Sequence, residues 1–166
     1  EEIDHRGKLI APGFIGSHVH YVQLEIMASY GRQLLDWLND YTFPEEQQFA
    51  SREHADALSE AFLDEMLRVG TTTAQVFCSS HPASVDAFFA ASHRRGLCML
   101  AGKVLMDRHA PAGLTDDVVG GIHDSERLIG DWHGKGRLGY SLTPRFAPTS
   151  PREQLDATGA LLRNDS

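Results

Sequence analysis

Four times along these 166 residues, a short run rich in β-branched and apolar side chains gives way to a stretch with helical spacing. Strand then helix, with connections too long for a hairpin, makes each new strand lie parallel to the last. The first run is Gly13 to His20. The second, Thr71 to Phe77, follows a helix in which Leu58, Phe62, Met66 and Val69 share one face. Ser51 is that helix's expected N-cap, with Glu53 in the first turn and Gly70 as its stop. A third strand, Cys98 to Met106, follows a helix from about Ala83 to Arg95 that turns Val85, Phe88 and Phe89 inward and stops at Gly96. The fourth, Leu138 to Thr143, follows a poorly patterned helix over Asp116 to about Asp131, weakened by Gly120-Gly121. Ser150-Pro151-Arg152-Glu153 reads as a capping box with proline at the first helical position, opening a last helix through Leu161 or Leu162. Right-handed crossovers then curve four βα units into half a barrel. A long excursion over 21–50 carries an amphipathic stretch (Leu34, Leu35, Trp37, Leu38) and an expected break at Phe43-Pro44.

Composition removes several function classes. A formal net charge of -8 argues against a nucleic-acid backbone or an anionic membrane as partner. No apolar run reaches the roughly 20 residues a spanning helix needs, and no secretory pattern opens the chain. Cys78 and Cys98 are too few for a disulfide framework and sit in apolar surroundings, so both are expected to be reduced and the location cytoplasmic. No internal repeat or low-complexity tract interrupts the pattern.

The chemistry is expected at the carboxyl ends of the strands, where barrels of this kind gather their active sites. The first strand ends in His18-Val19-His20. Side chains alternate along a strand, so the two imidazoles share a face and Val19 takes the other. Two imidazoles side by side are half of a metal site; the plainer alternative is a hydrogen-bonded pair lining a cleft. The other ends bring His81, His109 and Arg145-Phe146 close to the same mouth. For Arg145 alone a surface ion pair is the plainer reading, for Gln23 an ordinary polar loop residue, and for Trp37 and Tyr41 packing.

Pro12-Gly13-Phe14-Ile15-Gly16-Ser17-His18-Val19-His20 resembles the first-strand signature of the amidohydrolase superfamily, the metal-dependent hydrolases built on a (β/α)8 barrel. Within it, the guanine deaminase family is the one resembled by Leu34 to Glu45, Gly70 to Ala74, Gly102 to Asp107 and Thr143-Pro144-Arg145-Phe146, in the right order and over nearly the whole chain. The resemblance implies an α/β fold, a partial TIM-type barrel made of its first four βα units. Residues 12–166 would be the N-terminal half of the barrel and 1–11 a connector from a preceding β-rich domain. A complete barrel takes roughly 250 residues, and the chain opens on Glu1, so a piece of a longer protein is expected.

The resemblance further implies His18 and His20 as ligands of Zn2+, with Fe2+ or another divalent metal as the alternative. His20, Tyr21, Val22 and Gln23 would touch guanine, Arg145 would hydrogen-bond the base and Phe146 would pack on it. A flat ring with acceptors at O6 and N7 suits a guanidinium fork and an amide. The implied reaction is zinc-dependent hydrolytic deamination of guanine to xanthine and ammonia. The family's general acid/base and remaining ligands lie in a later His-x-x-x-His-x-x-Glu-like segment and a distant Asp, so no catalytic residue is expected within this chain and the piece alone is expected to be inactive. Gly16 stands where the family usually carries Asp, which is expected to loosen support around the ligands. Another deaminase or a chlorohydrolase of the superfamily is the runner-up enzyme, and a non-catalytic truncated piece, held as a homo-oligomer through its open strand edges, is the non-enzyme reading. The H-x-E…P-C-x-x-C signature of cytidine-type zinc deaminases is absent.

Overall fold

The structure, a computed structural model, describes residues 3–31 and 33–164. Residues 3–13 form no strand or helix and are exposed. β1 (Phe14–His20), β2 (Thr71–Phe77) and β3 (Cys98–Gly102) are followed by a short β4 (Val104–Leu105), then β5 (Leu138–Tyr140) and β6 (Thr143–Pro144). The main sheet runs β1-β2-β3-β5, every pairing parallel, while β4 and β6 pair in parallel beyond the ends of β3 and β5. Helices α1 (Leu34–Trp37), α2 (Phe43–Gln48), α3 (Arg52–Arg68), α4 (Pro82–Arg94), α5 (Val118–Trp132) and α6 (Arg152–Asn164) complete the alternation. The expected parallel βα architecture of a partial TIM-type barrel is therefore present.

Alternation sorts each strand onto two faces. Ala74, Val76, Met99, Ala101, Leu138 and Tyr140 point to the helices and interlock with Phe62 and Leu63 of α3, Val85, Phe88 and Phe89 of α4, and Leu128 of α5. The opposite face carries Gln75 and Leu100, both exposed, and the ring of Phe77 at the end of β2. Ser51 caps α3 by accepting from the His54 N–H at 3.3 Å, and Gly70 leaves that helix at φ +82°, a conformation glycine tolerates best.

Four local expectations are corrected. The third strand breaks at Lys103, whose N–H donates to the Tyr140 hydroxyl at 3.3 Å instead of a ladder carbonyl and whose side chain is fully buried against Asp116. The fourth breaks after Tyr140, where the chains approach so closely that a Cβ on Gly102 would lie 1.8 Å from the Ser141 carbonyl oxygen. Pro44 does not break the helix: α1 runs through a π turn (Leu38–Thr42) straight into α2, and Pro44 sits inside this continuous helical stretch just past the π turn. The Ser150 capping box does not form; Ser150 Oγ is buried without a partner, and α6 starts one residue past the proline, with the Pro151 carbonyl accepting from Leu155 N at 3.3 Å.

Candidate active site

The sheet's uncovered face ends in three rings. His18 and His20 lie with ring centroids 5.2 Å apart, edge to face, and both pack on Phe77, at 4.8 and 4.6 Å. Parallel register puts His20 beside Phe77, so β2 supplies the shelf on which both imidazoles rest. His18 is exposed and His20 half-buried. Burial lowers the His20 pKa to about 4, with the charge of Arg145 and the neighbouring His18 acting in the same direction. Near neutral pH that imidazole carries no charge.

A cavity of about 230 Å³ opens over these rings and gathers His18, His20, Gln23, Phe77, Arg145 and Phe146. Trp37 lines it too, its indole N–H held by Ser29 Oγ at 2.8 Å, and so reaches the mouth instead of serving only as packing. A larger hollow of about 540 Å³ shares His18, His20, Gln23 and Trp37 and extends along Leu24 to Ser29.

Arg145 enters from just past β6 and is nearly buried, its side chain 6 % exposed. It is no surface ion pair. Its two terminal nitrogens grip both carboxylate oxygens of Glu46, at 2.5 and 2.9 Å, and Glu46 is itself fully buried on α2. Gln23 Nε2 donates to the same carboxylate at 3.2 Å, and the guanidinium lies over the Phe43 ring at 5.5 Å. A guanidinium has five N–H donors, so the fork fixes the plane of Arg145 while leaving donors for another acceptor. Glu46 is the residue that sequence reasoning missed. It lies 99 positions from Arg145, with no local pattern to join them.

The remaining expectations divide. Tyr21 and Val22 do not reach the cavity: both side chains are fully buried in the helix-facing core, and the Tyr21 hydroxyl donates to the Ser84 carbonyl at 2.7 Å. Their side chains are core residues because the turn after β1 dives under α3 and α4. His81 is half-buried at the start of α4, and His109 is exposed and lines a different hollow, with Phe43 and Phe146. A Cβ on Gly16 would meet Ala74 at 3.6 Å and Met66 at 3.8 Å, so that position faces the helix layer and not the imidazoles.

The donor set suits a divalent metal. His20 Nδ1 is buried without a hydrogen-bond partner, and a neutral imidazole with an unclaimed nitrogen is available to a cation. Among the described residues no third His, Cys, Asp or Glu joins His18 and His20.

Parallel βα units with an imidazole pair at the first strand's end define the class. The chain belongs to the Amidohydrolase family, whose match covers residues 9–164. It is 52 % identical over 152 residues to the guanine deaminase of Escherichia coli (strain K12), an alignment covering 92 % of this chain and 35 % of that protein. The solved structure of E. coli guanine deaminase superposes with a TM-score of 0.90 at 48 % identity, over 92 % of this chain and 35 % of that one. A guanine deaminase from C. acetobutylicum, solved with guanine bound in its active site, gives 0.89 at 30 % identity, over 92 % of this chain and 37 % of that one. The chain spans about a third of the length of the curated relatives it matches.

Proposed function

We propose that these residues form the metal-holding and base-recognising part of a zinc-dependent guanine deaminase. The observation that carries this reading is the convergence in one cavity of His18 and His20 from β1 with a Glu46-clamped Arg145 and Phe146 from the fourth βα unit. The likeness to guanine deaminases over most of the chain supports the same substrate. His18 and His20 hold the metal, which when bound supplies Lewis acidity toward water at neutral pH. Arg145 directs its remaining donors at acceptors on the purine edge. Gln23, its amide N–H engaged by Glu46, offers Oε1 to an N–H of the base. Phe146 packs on the ring. The products are xanthine and ammonia. A catalytic zinc site takes three protein ligands, and these residues hold two and no assigned acid/base, so the 166 residues alone are inactive in this reading.

The test is a graft of this segment in place of the matching third of E. coli guanine deaminase. The chimera should convert guanine to xanthine, and Arg145→Ala in it should raise KM for guanine at least tenfold, a loss of about 1.4 kcal/mol or more of binding. A folded chimera whose guanine turnover ignores Arg145→Ala contradicts the substrate. Xanthine formation by the 166-residue chain itself contradicts its inactivity.

A further inference from the structure

Apart from the imidazole pair, three other side chains converge. Glu25 lies in the 3-10 turn Tyr21–Ile26, Glu45 in α2 and His54 in the first turn of α3. One ligand atom from each lies within 4.8 Å of the other two. The Glu45 side chain is 8 % exposed, and its Oε1 stands 3.5 Å from His54 Nε2. Both atoms are buried, and they face each other as an imidazole–carboxylate ion pair with no well-formed hydrogen bond to any other group.

Each side chain is nonetheless held in place. Glu45 Oε2 accepts from Gln48 Nε2 at 2.7 Å, and the His54 ring stands edge to face on Phe49 at 4.7 Å. Two ligand atoms, ion-paired only loosely, are thus aimed at one another by fixed neighbours. Bonds of about 2.0–2.2 Å to a tetrahedral cation set two ligand atoms about 3.4 Å apart, close to the 3.5 Å between this pair. Glu25, exposed on a flexible stem, stands at the third corner.

We propose that Glu25, Glu45 and His54 form a second cation site, distinct from His18 and His20, that takes a divalent transition metal of the zinc type with solvent completing the shell. One imidazole with two carboxylates suits Zn2+ better than the all-oxygen cages calcium and magnesium prefer. A metal there ties the turn after β1 to α2 and α3. It would steady Gln23 and Glu46, close in sequence to Glu25 and Glu45. The rival arrangement is a proton: burial, and then the Glu25 carboxylate, raise the Glu45 pKa, against the opposing influence of His54. A protonated Glu45 bonded to Glu25 would need no metal.

The test removes the imidazole pair first. The His18→Ala/His20→Ala chain, titrated calorimetrically with Zn2+, should bind one ion per chain. Glu45→Gln and His54→Gln in that background should each weaken binding by more than about 100-fold, beyond what loss of an outer-shell partner costs. Zinc should raise the thermal midpoint of the His18→Ala/His20→Ala chain and not of either further variant. No Zn2+ uptake by the folded His18→Ala/His20→Ala chain overturns the proposal, as does undiminished uptake by folded Glu45→Gln. Should these variants fail to fold, a zinc-edge anomalous map of zinc-soaked parent crystals decides: a peak within about 2.2 Å of Glu45 Oε1 and His54 Nε2 supports the site, whatever lies at His18 and His20, and no peak there refutes it. None of these readouts involves guanine, so this site and the deaminase reading can fail separately.

Discussion

The two faces of the β1-β2-β3-β5 sheet were written under different rules. The helix-facing side is apolar and closed: Phe88, Phe89, Met99 and Ala101 are fully buried in one hydrophobic cluster. The other side carries two imidazoles, Phe77, Gln75 and an exposed Leu100, with a buried ion pair at its rim. Stability lives on the first face and chemistry on the second, because only an uncovered face can present polar groups to a ligand.

The sharpest way to break that contrast is to injure the covered face. Phe88→Ala should cost about 3–5 kcal/mol, since a large buried ring leaves a cavity its neighbours only partly fill. Urea unfolding followed by circular dichroism measures it. Glu46→Ala should come next, about 3 kcal/mol, because it strands the nearly buried Arg145 guanidinium without its partner. Replacing Glu46 and Arg145 together by Leu and Met should cost less than Glu46→Ala alone, which a double-mutant cycle would reveal; equal costs would mean the fork is solvated.

The imidazole pair predicts a pH effect of definite sign. An unfolded histidine takes up its proton near pH 6.5, whereas folded His20 does so near pH 4. Between those values the unfolded state binds more protons, so stability falls as pH drops through about 6.5 and stops falling near 4. His20→Asn should flatten that part of the curve of urea midpoint against pH. Smallest should be Leu100→Ala on the uncovered face, under about 1 kcal/mol, because the side chain already meets solvent in the folded state. With β1 and β5 as open edges, the isolated chain should self-associate in analytical ultracentrifugation, and a clean monomer would show that the edges are protected.

Local signals were readable in the sequence where one residue's own chemistry sets the structure. Ser51 caps, Gly70 turns with positive φ, and the Thr71–Phe77 run emerges with the expected bounds. His18 and His20 share a face because strand alternation needs nothing beyond neighbouring residues. What stayed hidden depends on distant partners. Tyr21 looks like a pocket residue until Ser84, 63 positions away, claims its hydroxyl. Lys103 ends a strand because Tyr140 offers its oxygen, and Arg145 is aimed by Glu46. The Glu25, Glu45 and His54 cluster likewise joins three elements that no periodicity connects.

One measurement bears most directly on the central claim: a zinc-edge anomalous diffraction map of the grafted chimera crystallised with guanine. The account predicts a zinc peak within about 2.2 Å of nitrogens of His18 and His20, with the purine between Phe146 and the Glu46-held Arg145. A peak away from both imidazoles, or a base bound out of reach of Arg145, would contradict it.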